Sequence, residues 1–282
     1  MMFLNGLSAT RSGHGDTVAR WAEEFAGRGY PSFRIDLPGY GDSEDDPPTE
    51  WLDFVNQGGY ASSASSAINE IVTRYNLSGV VIVGHCAGAV SATYTAAVSR
   101  QCRGLILMDP YFHLPETNPA KIRGQLHVWA MQSRLGGLLS GILAIFKGIR
   151  LLFRGSVPPK NANFPLLRCW KKLASTSLPI LILRAPGRKS SSLKPKVGEF
   201  DYLEHILGLV GPRNEVVVSL MDGANHSFAN RVGRAAVRQH VEQWLNMYFS
   251  LTPCDDSEAC VLPSETSNSE KDFADRERCL KA

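Results

Sequence analysis

The sequence predicts an α/β fold in which a mostly parallel sheet is flanked by helices. Short apolar segments alternate with amphipathic segments along most of the chain, and strands separated by helices pair in parallel. The 282 residues, of which 44% are hydrophobic and 20% are charged, suffice for one sizeable core. One apolar segment runs into a glycine-flanked turn at 84–88 and then into a helical segment. We therefore expect one α/β domain over residues 1–250.

The elements of this domain follow from apolar runs bounded by turn residues and from apolar side chains at helical spacing. The predicted strands are Met2–Leu4, Ser32–Ile35, Val80–Val83, Gly104–Met108, Pro179–Leu183 and Glu215–Leu220. The predicted helices are Asp16–Arg28, Ser62–Tyr75, Ala87–Arg100, one that begins at Asp201, and Arg231–Phe249. Asp201 and Glu204 have the spacing of a capping box, which predicts the start of the fourth helix.

The segment at about 111–177 interrupts the alternation and is predicted to be a helical lid. Its centre, 135–153, is rich in bulky aliphatic side chains. An insertion at this place lies over the carboxyl ends of the strands, where open α/β sheets bind ligands. The glycines of this segment, together with Lys147 and Arg150, leave too short an apolar stretch for a membrane span. An interfacial helix with a basic face, in contact with a membrane surface, is the alternative to a lid.

Composition and charge favour a cytoplasmic protein that does not bind nucleic acid. The formal net charge is +3, and acidic and basic residues are mixed along the chain. The six cysteines lack CxxC or CxxH spacing, and no secretory signal precedes the first predicted strand. A reducing cytoplasm is the simplest compartment and would keep thiols reduced. Residues 251–282 are polar, with few large apolar side chains, and are predicted to form a disordered tail.

The pentapeptide at 84–88, Gly-His-Cys-Ala-Gly, predicts a nucleophile on a tight strand-to-helix turn. The central residue of such a turn has a strained backbone, and glycine at both ends lets neighbouring backbone approach closely. Cys86 would stand at the sheet edge, at the positive N-terminus of the helix that begins at Ala87, which favours the thiolate. The same N-terminal amides can bind an oxyanion. The alternative is a buried, inert cysteine, since cysteine is among the most buried residue types.

Three motifs together resemble those of the α/β-hydrolase superfamily over about residues 1–249. They are the pentapeptide at 84–88; Asp-Leu-Pro-Gly-Tyr-Gly-Asp-Ser at 36–43, similar to the loop after the family's fourth strand; and Asp-Gly-Ala-Asn-His at 222–226, where the family keeps its catalytic histidine. The resemblance implies an α/β-hydrolase fold and makes His226 the general base. The order nucleophile, acid, histidine along the chain is also that of the superfamily. A surface histidine in a loop is the alternative for His226.

The chain departs from the family pattern at three places. Cysteine replaces serine at position 86, as in dienelactone-hydrolase-like and thioesterase-like members. The family usually opens with two further strands before the one at 2–4, and Asn-Gly at 5–6 stands where His-Gly is common. The resemblance implies that the oxyanion hole is still formed by the backbone amides of Leu7 and Ala87.

The acidic partner of the histidine is not at the family's usual position. The segment that follows the strand at 179–183 carries no carboxylate there. Asp109 ends the strand after the elbow helix, where the resemblance to thioesterase domains of peptide and polyketide synthases places the acid, and it is our assignment. Asp201, which is also explained as a helix cap, and Glu199 are the alternatives. A Cys-His dyad stays open too, because a thiolate beside an imidazolium depends less on an orienting carboxylate.

These residues imply a hydrolase or acyltransferase for an ester, thioester or lactone. Cys86 would attack the carbonyl carbon and His226, oriented by Asp109, would transfer the proton. No metal-ligand cluster or phosphate-binding glycine loop is present, so we expect no cofactor and a small-molecule or carrier-bound acyl substrate. Apolar side chains of the middle segment would line an acyl pocket or pack as core: Phe112, Leu138, Leu139, Ile142, Ile145 and Phe146. The alternative is a non-catalytic binding or scaffold protein of the same fold.

Overall fold

The computed structural model describes residues 1–6, 9–114, 158–186 and 200–250. The chain divides into a unit over Met1–Phe249 and a second unit over Ser250–Ala282. Every helix and strand of the described residues belongs to the first unit. Most of the predicted lid and all of the predicted tail lie outside the described residues.

A six-stranded parallel sheet forms the centre of the described structure. Its strands are β1 (Met2–Leu4), β2 (Phe33–Ile35), β3 (Val80–His85), β4 (Cys102–Met108), β5 (Ile180–Arg184) and β6 (Val216–Leu220). They pair in the order β2-β1-β3-β4-β5-β6, and every pair is parallel. All five residues of β5 are buried, as expected of a strand covered on both faces. The predicted fold class is therefore confirmed.

Seven α-helices and a 3₁₀-helix at His14–Asp16 surround this sheet in the described residues. The α-helices are α1 (Thr17–Ala26), α2 (Trp51–Asn56), α3 (Ala61–Arg74), α4 (Ala87–Val98), α5 (Phe164–Ala174), α6 (Tyr202–Gly208) and α7 (Arg231–Tyr248). The cores on the two sides of the sheet place α1 and α7 on one face and α2 to α6 on the other. None of these helices is both long enough and apolar enough to span a membrane.

Alternating side chains of the strands supply the two cores. In β4, Leu105 and Leu107 belong to the core on the α4 side, whereas Ile106 and Met108 belong to the core on the α7 side. Helix α4 is buried on almost every side, because its ten residues from Ala87 to Ala96 are all buried. The helix that follows the elbow is therefore a fixed part of the core.

The observed elements differ from the predicted ones mainly at their ends. Helix α1 begins at Thr17 because Asp16 has a left-handed backbone with a φ of 57°, and α4 ends at Val98 because Ser99 is extended. Helix α2 was not predicted, since six residues are too few for helical periodicity to be visible. The predicted cap is confirmed: Oδ1 of Asp201 accepts a hydrogen bond from the amide of Glu204 at 3.0 Å.

The strand register brings three polar residues side by side at the carboxyl edge of the sheet. Met108 pairs with His85 on one side and with Leu183 on the other. The ladder continues one residue further, because the amide of Cys86 donates to the carbonyl of Met108 at 2.9 Å and the amide of Asp109 donates to that of Leu183 at 2.7 Å. Cys86, Asp109 and Arg184 therefore lie in one row on three adjacent strands, whose usual spacing is about 4.8 Å.

Candidate active site

Cys86 has the strained backbone expected of a nucleophile on a tight turn. Its φ of 53° and ψ of −115° are rare for a residue with a Cβ, and its side chain is half-buried. A Cβ at Gly84 would lie 2.3 Å from the carbonyl oxygen of Gly88, and one at Gly88 would lie 2.2 Å from that of Leu4. Both flanking glycines are therefore required sterically, as the sequence pattern predicts.

The turn places Cys86 at the N-terminus of α4, where it is the residue immediately before the first helical residue, Ala87. The first amides of a helix have no acceptor within the helix, and the helix dipole adds partial positive charge there. This environment favours a thiolate at Cys86 and a negatively charged oxygen beside the amide of Ala87. Burial instead raises the pKa of Cys102 to about 12 and also raises that of the Cys169 thiol.

Asp109 and His226 are hydrogen-bonded to each other. Asp109 follows β4, is only 1% exposed and has a left-handed backbone with a φ of 49°. Its Oδ2 accepts a hydrogen bond from Nδ1 of His226, whose side chain is 37% exposed. With its proton on Nδ1, a neutral imidazole carries its lone pair on Nε2, which is the form a general base needs. The structure thus pairs His226 with the carboxylate that we assigned to it.

The loop that carries His226 is anchored on both sides of the histidine. At its start, the amide of Met221 donates to the carbonyl of Arg184 at 2.9 Å, which continues the sheet ladder beyond β6. After the histidine, Phe228 is completely buried and its amide donates to the carbonyl of Asn225 at 2.9 Å. The position of His226 is therefore set by sheet hydrogen bonds and by burial of an aromatic ring.

His85 is a second histidine in contact with this loop. Its Nε2 donates to the main-chain carbonyl of His226 at 2.8 Å, and its ring packs edge-on against Phe228 with centroids 5.8 Å apart. Burial lowers the pKa of His85 from 6.5 to about 4. Since His85 is neutral near pH 7, its single N–H belongs on Nε2, where the carbonyl accepts it.

Arg184 contacts the other oxygen of the Asp109 carboxylate. It is the last residue of β5 and is buried, and its Nε lies 3.5 Å from Oδ1 of Asp109. The carboxylate therefore has His226 at one oxygen and a guanidinium at the other. Arg184 begins the segment after residues 179–183 in which the sequence offers no carboxylate, and a cation that contacts Asp109 therefore lies at this strand end.

The loop after β1 passes directly over the elbow. A Cβ at Gly6 would lie 3.3 Å from the Cβ of Cys86 and 3.6 Å from the amide nitrogen of Ala87. Further along the same loop, the backbone amide and the Nη1 of Arg11 donate to the Asp36 carboxylate at 2.5 Å and 2.6 Å. The next residue after Gly6, Leu7, whose amide is predicted to bind the oxyanion, lies outside the described residues.

Of the remaining predicted residues, the structure describes Asp201 and Phe112, and neither of them contacts this site. Asp201 caps α6, Glu199 lies outside the described residues, and so do the predicted lid residues 138–146. Phe112 packs in the core against Trp170, with ring centroids 5.7 Å apart, which is the core alternative of the two that the sequence left open for it. The parts of the chain that the structure describes hold no group of three or more histidine, cysteine or acidic residues suited to a metal.

Sequence reasoning missed the roles of His85 and Arg184. His85 was seen only as part of the elbow pattern, and its partner is 141 residues away. Arg184 carried a usable signal: a charged residue directly follows four buried apolar residues of a central strand, where an isolated charge is costly. That signal predicts a buried partner of opposite charge at the same sheet edge.

The chain is similar to known proteins in its family profile and in its fold. The profile of the Alpha/beta hydrolase family matches residues 1–247. Structural similarity extends to DcsB in complex with its substrate analogue, with 15% identity and a TM-score of 0.57 over 88% of this chain and 90% of that chain. For an esterase of Pyrococcus furiosus the identity is 13%, the TM-score 0.54 and the coverage 88% and 80%.

A monoacylglycerol lipase of Paleococcus ferrophilus shares 13% identity at a TM-score of 0.53, over 88% of this chain and 93% of that chain. A search of curated proteins gave no match. At these identities the solved structures show a shared fold. The family profile, in contrast, covers both the elbow and the histidine loop, and the protein therefore belongs to the Alpha/beta hydrolase family.

Proposed function

We propose that this chain is a cysteine-dependent member of its family that cleaves or transfers the acyl group of an ester, thioester or lactone. The observation that carries the proposal is the hydrogen bond between Asp109 and His226, at the edge of the sheet where Cys86 lies next to Asp109 in the strand register. A thiol on a strained elbow, an oriented imidazole and a buried carboxylate are the three groups that acyl transfer uses.

In the first step, the Cys86 thiol transfers its proton to Nε2 of His226, its sulfur forms a bond to the acyl carbon, and the carbonyl electron pair moves onto oxygen. The amide of Ala87, and in the proposal also that of Leu7, donates to this oxyanion. The electron pair then returns, the bond from carbon to the leaving oxygen or sulfur breaks, and His226 gives its proton to the leaving group. The products are an acyl-thioester on Cys86 and an alcohol or thiol.

In the second step, water or an alcohol loses a proton to Nε2 of His226 and attacks the acyl carbon. Collapse of the second tetrahedral intermediate breaks the bond from carbon to sulfur and restores Cys86 as the thiolate. Water gives a carboxylic acid, whereas an alcohol gives a new ester, or a lactone when the hydroxyl belongs to the same acyl chain. A thioester intermediate is more reactive toward such nucleophiles than an oxygen ester, which supports transfer as well as hydrolysis.

The substrate in this proposal is a small or carrier-bound acyl compound. We retain a reducing cytoplasmic setting for the chain, because Cys86 must be a thiol to react. The folds of an esterase and a lipase are similar to this one, which is consistent with an acyl substrate.

The experiment is steady-state hydrolysis of p-nitrophenyl acetate and of an N-acetylcysteamine thioester by the wild type, Cys86→Ala and His226→Ala. We expect both variants to lose at least about a hundredfold in kcat/KM. Cys169→Ala is the matched control, because this half-buried cysteine lies in α5, and it should keep wild-type rates. Unchanged rates in Cys86→Ala would show that the turnover does not come from this site and would contradict the proposal, whereas no turnover of either substrate by the wild type would support the scaffold alternative.

A further inference from the structure

The row of residues at the sheet edge contains a buried ion pair beside the proposed nucleophile. Asp109 follows β4, Arg184 ends β5, and the register places them next to each other. Both are buried, and Nε of Arg184 lies 3.5 Å from Oδ1 of Asp109. The other carboxylate oxygen, Oδ2, accepts the hydrogen bond from Nδ1 of His226.

A carboxylate that is 1% exposed needs a compensating charge to remain ionised. His226 does not supply that charge when it is neutral, which is its form at the moment it accepts a proton. The guanidinium of Arg184 is charged at every pH of interest and is fixed by its burial in the last position of β5. The geometry thus separates two tasks, since one oxygen of Asp109 meets a permanent cation and the other meets a titrating imidazole.

We propose that Arg184 is a positioning residue of the acyl-transfer site: it holds Oδ1 of Asp109, so that Oδ2 stays directed at His226 and the carboxylate stays charged while the imidazole gains and loses its proton. The proposal rests on the proposed function, because it acts through His226. In this proposal, the acidic partner of His226 consists of Asp109 together with Arg184, which are contributed by the adjacent strands β4 and β5.

The positive charge of Arg184 also reduces the negative potential that Asp109 produces at His226 and Cys86. Near His226 and Cys86, the described residues place Asp109 on β4, Arg184 on β5 and His85 at the end of β3, with His14 close enough to act on His85. Removal of the cation leaves Asp109 uncompensated. The His226 imidazole and the Cys86 thiol should then bind their protons more tightly. Both the acidic and the basic limb of the pH profile should therefore move to higher pH.

The test uses Arg184→Met and Arg184→Lys, with two readouts. The first is the rate at which iodoacetamide alkylates Cys86 across pH, followed by peptide mass mapping, which requires no substrate. The second is kcat and KM for p-nitrophenyl acetate across pH. For Arg184→Met we expect kcat to fall about tenfold or more with little change in KM, and both profiles to move up by roughly one pH unit.

Arg184→Lys keeps the charge but loses the planar guanidinium, so its profiles should stay at the wild-type pH while kcat falls less. The double variant Asp109→Asn/Arg184→Met removes both buried charges. It keeps the proposal testable if Arg184→Met alone does not fold. It should unfold at a higher denaturant concentration than Arg184→Met alone, and its kcat/KM should equal that of Asp109→Asn.

The proposal would be overturned if the pH profiles of folded Arg184→Met lay at the same pH as those of the wild type. It would also be overturned if adding Arg184→Met to Asp109→Asn lowered kcat/KM further. Failure of the proposed function gives a different result: full activity in Cys86→Ala, or an alkylation profile of Cys86 that His226→Ala leaves unchanged.

Discussion

Nε2 of His85 donates a hydrogen bond to the main-chain carbonyl of His226 at 2.8 Å, and this bond ties the nucleophile elbow to the loop of the proposed base. The two imidazole rings lie 5.1 Å apart, and Phe228 packs against the first of them. A residue directly before Cys86 therefore fixes the backbone of the residue that would move its proton.

His85 should make the stability of the fold depend on pH. Burial lowers its pKa from 6.5 to about 4, so between these values the unfolded chain binds a proton that the folded chain does not. Stability must therefore fall as the pH drops through this window, by about 2 kcal/mol at about pH 5 relative to neutral pH. Urea unfolding at both pH values measures this loss.

The matched variant is His85→Gln, whose amide can still donate to the carbonyl of His226 but does not titrate. We expect its loss of stability between neutral pH and about pH 5 to be smaller than that of the wild type by most of this amount. An equal loss in wild type and His85→Gln would contradict a neutral His85 in the folded protein.

Replacement of Asp109 should affect the proposed catalysis, whereas replacement of Asp201 should affect stability. Asp109→Asn removes the charge that orients His226, so kcat should fall about a hundredfold or more in protein that is folded by circular dichroism. Asp201→Ala removes only the cap of α6 and should cost about 1 kcal/mol of stability while kcat is unchanged. If Asp201→Ala were folded but inactive, Asp201 and not Asp109 would be the acidic partner of His226.

The Asp36 carboxylate should hold the loop after β1 in place. It is 3% exposed and accepts hydrogen bonds from Arg11, whereas Asp42, which also contacts Arg11, is 79% exposed. Asp36→Asn should lower the midpoint of thermal unfolding by several degrees and also lower kcat, because this loop passes over the elbow. Asp42→Asn should change neither value, since exposed ion pairs contribute little. Equal effects of both variants would argue against this role.

A methyl group at Gly88 should disrupt the contact between the elbow helix and β1. Its Cβ would lie 2.2 Å from the carbonyl oxygen of Leu4, so backbone must shift and stability should fall by about 3 kcal/mol. Gly208→Ala is the control, because a Cβ there meets no atom within 4 Å and the residue ends a helix. That variant should be as stable as the wild type or slightly more stable. Denaturant unfolding of both variants measures the difference.

Local steric requirements made much of this site predictable from sequence. The two glycines around Cys86 are needed for close backbone contacts, which is why they mark the elbow in the sequence. Asp109 was assigned from the resemblance instead, because it ends the strand after the elbow helix. The contact of His85 with the His226 loop depends on a partner 141 residues away, so no local pattern contains it. Arg184 gave a partial signal, because a charge after four buried apolar residues indicates a buried partner of opposite charge without identifying Asp109. Element ends were missed where single residues, such as Asp16, adopt a left-handed backbone.

The central claim is that Cys86 carries the acyl group, and trapping that intermediate tests it most directly. The protein is mixed with p-nitrophenyl acetate, quenched in acid after a fraction of one turnover, digested and mapped by mass spectrometry. The account predicts one acetyl group on the peptide of Cys86, formed much faster than on Cys102 or Cys169, whose pKa values burial raises, and formed slowly in His226→Ala. Acetyl groups spread evenly over the three cysteines, or acetylation of Cys86 at the same rate in His226→Ala, would contradict it.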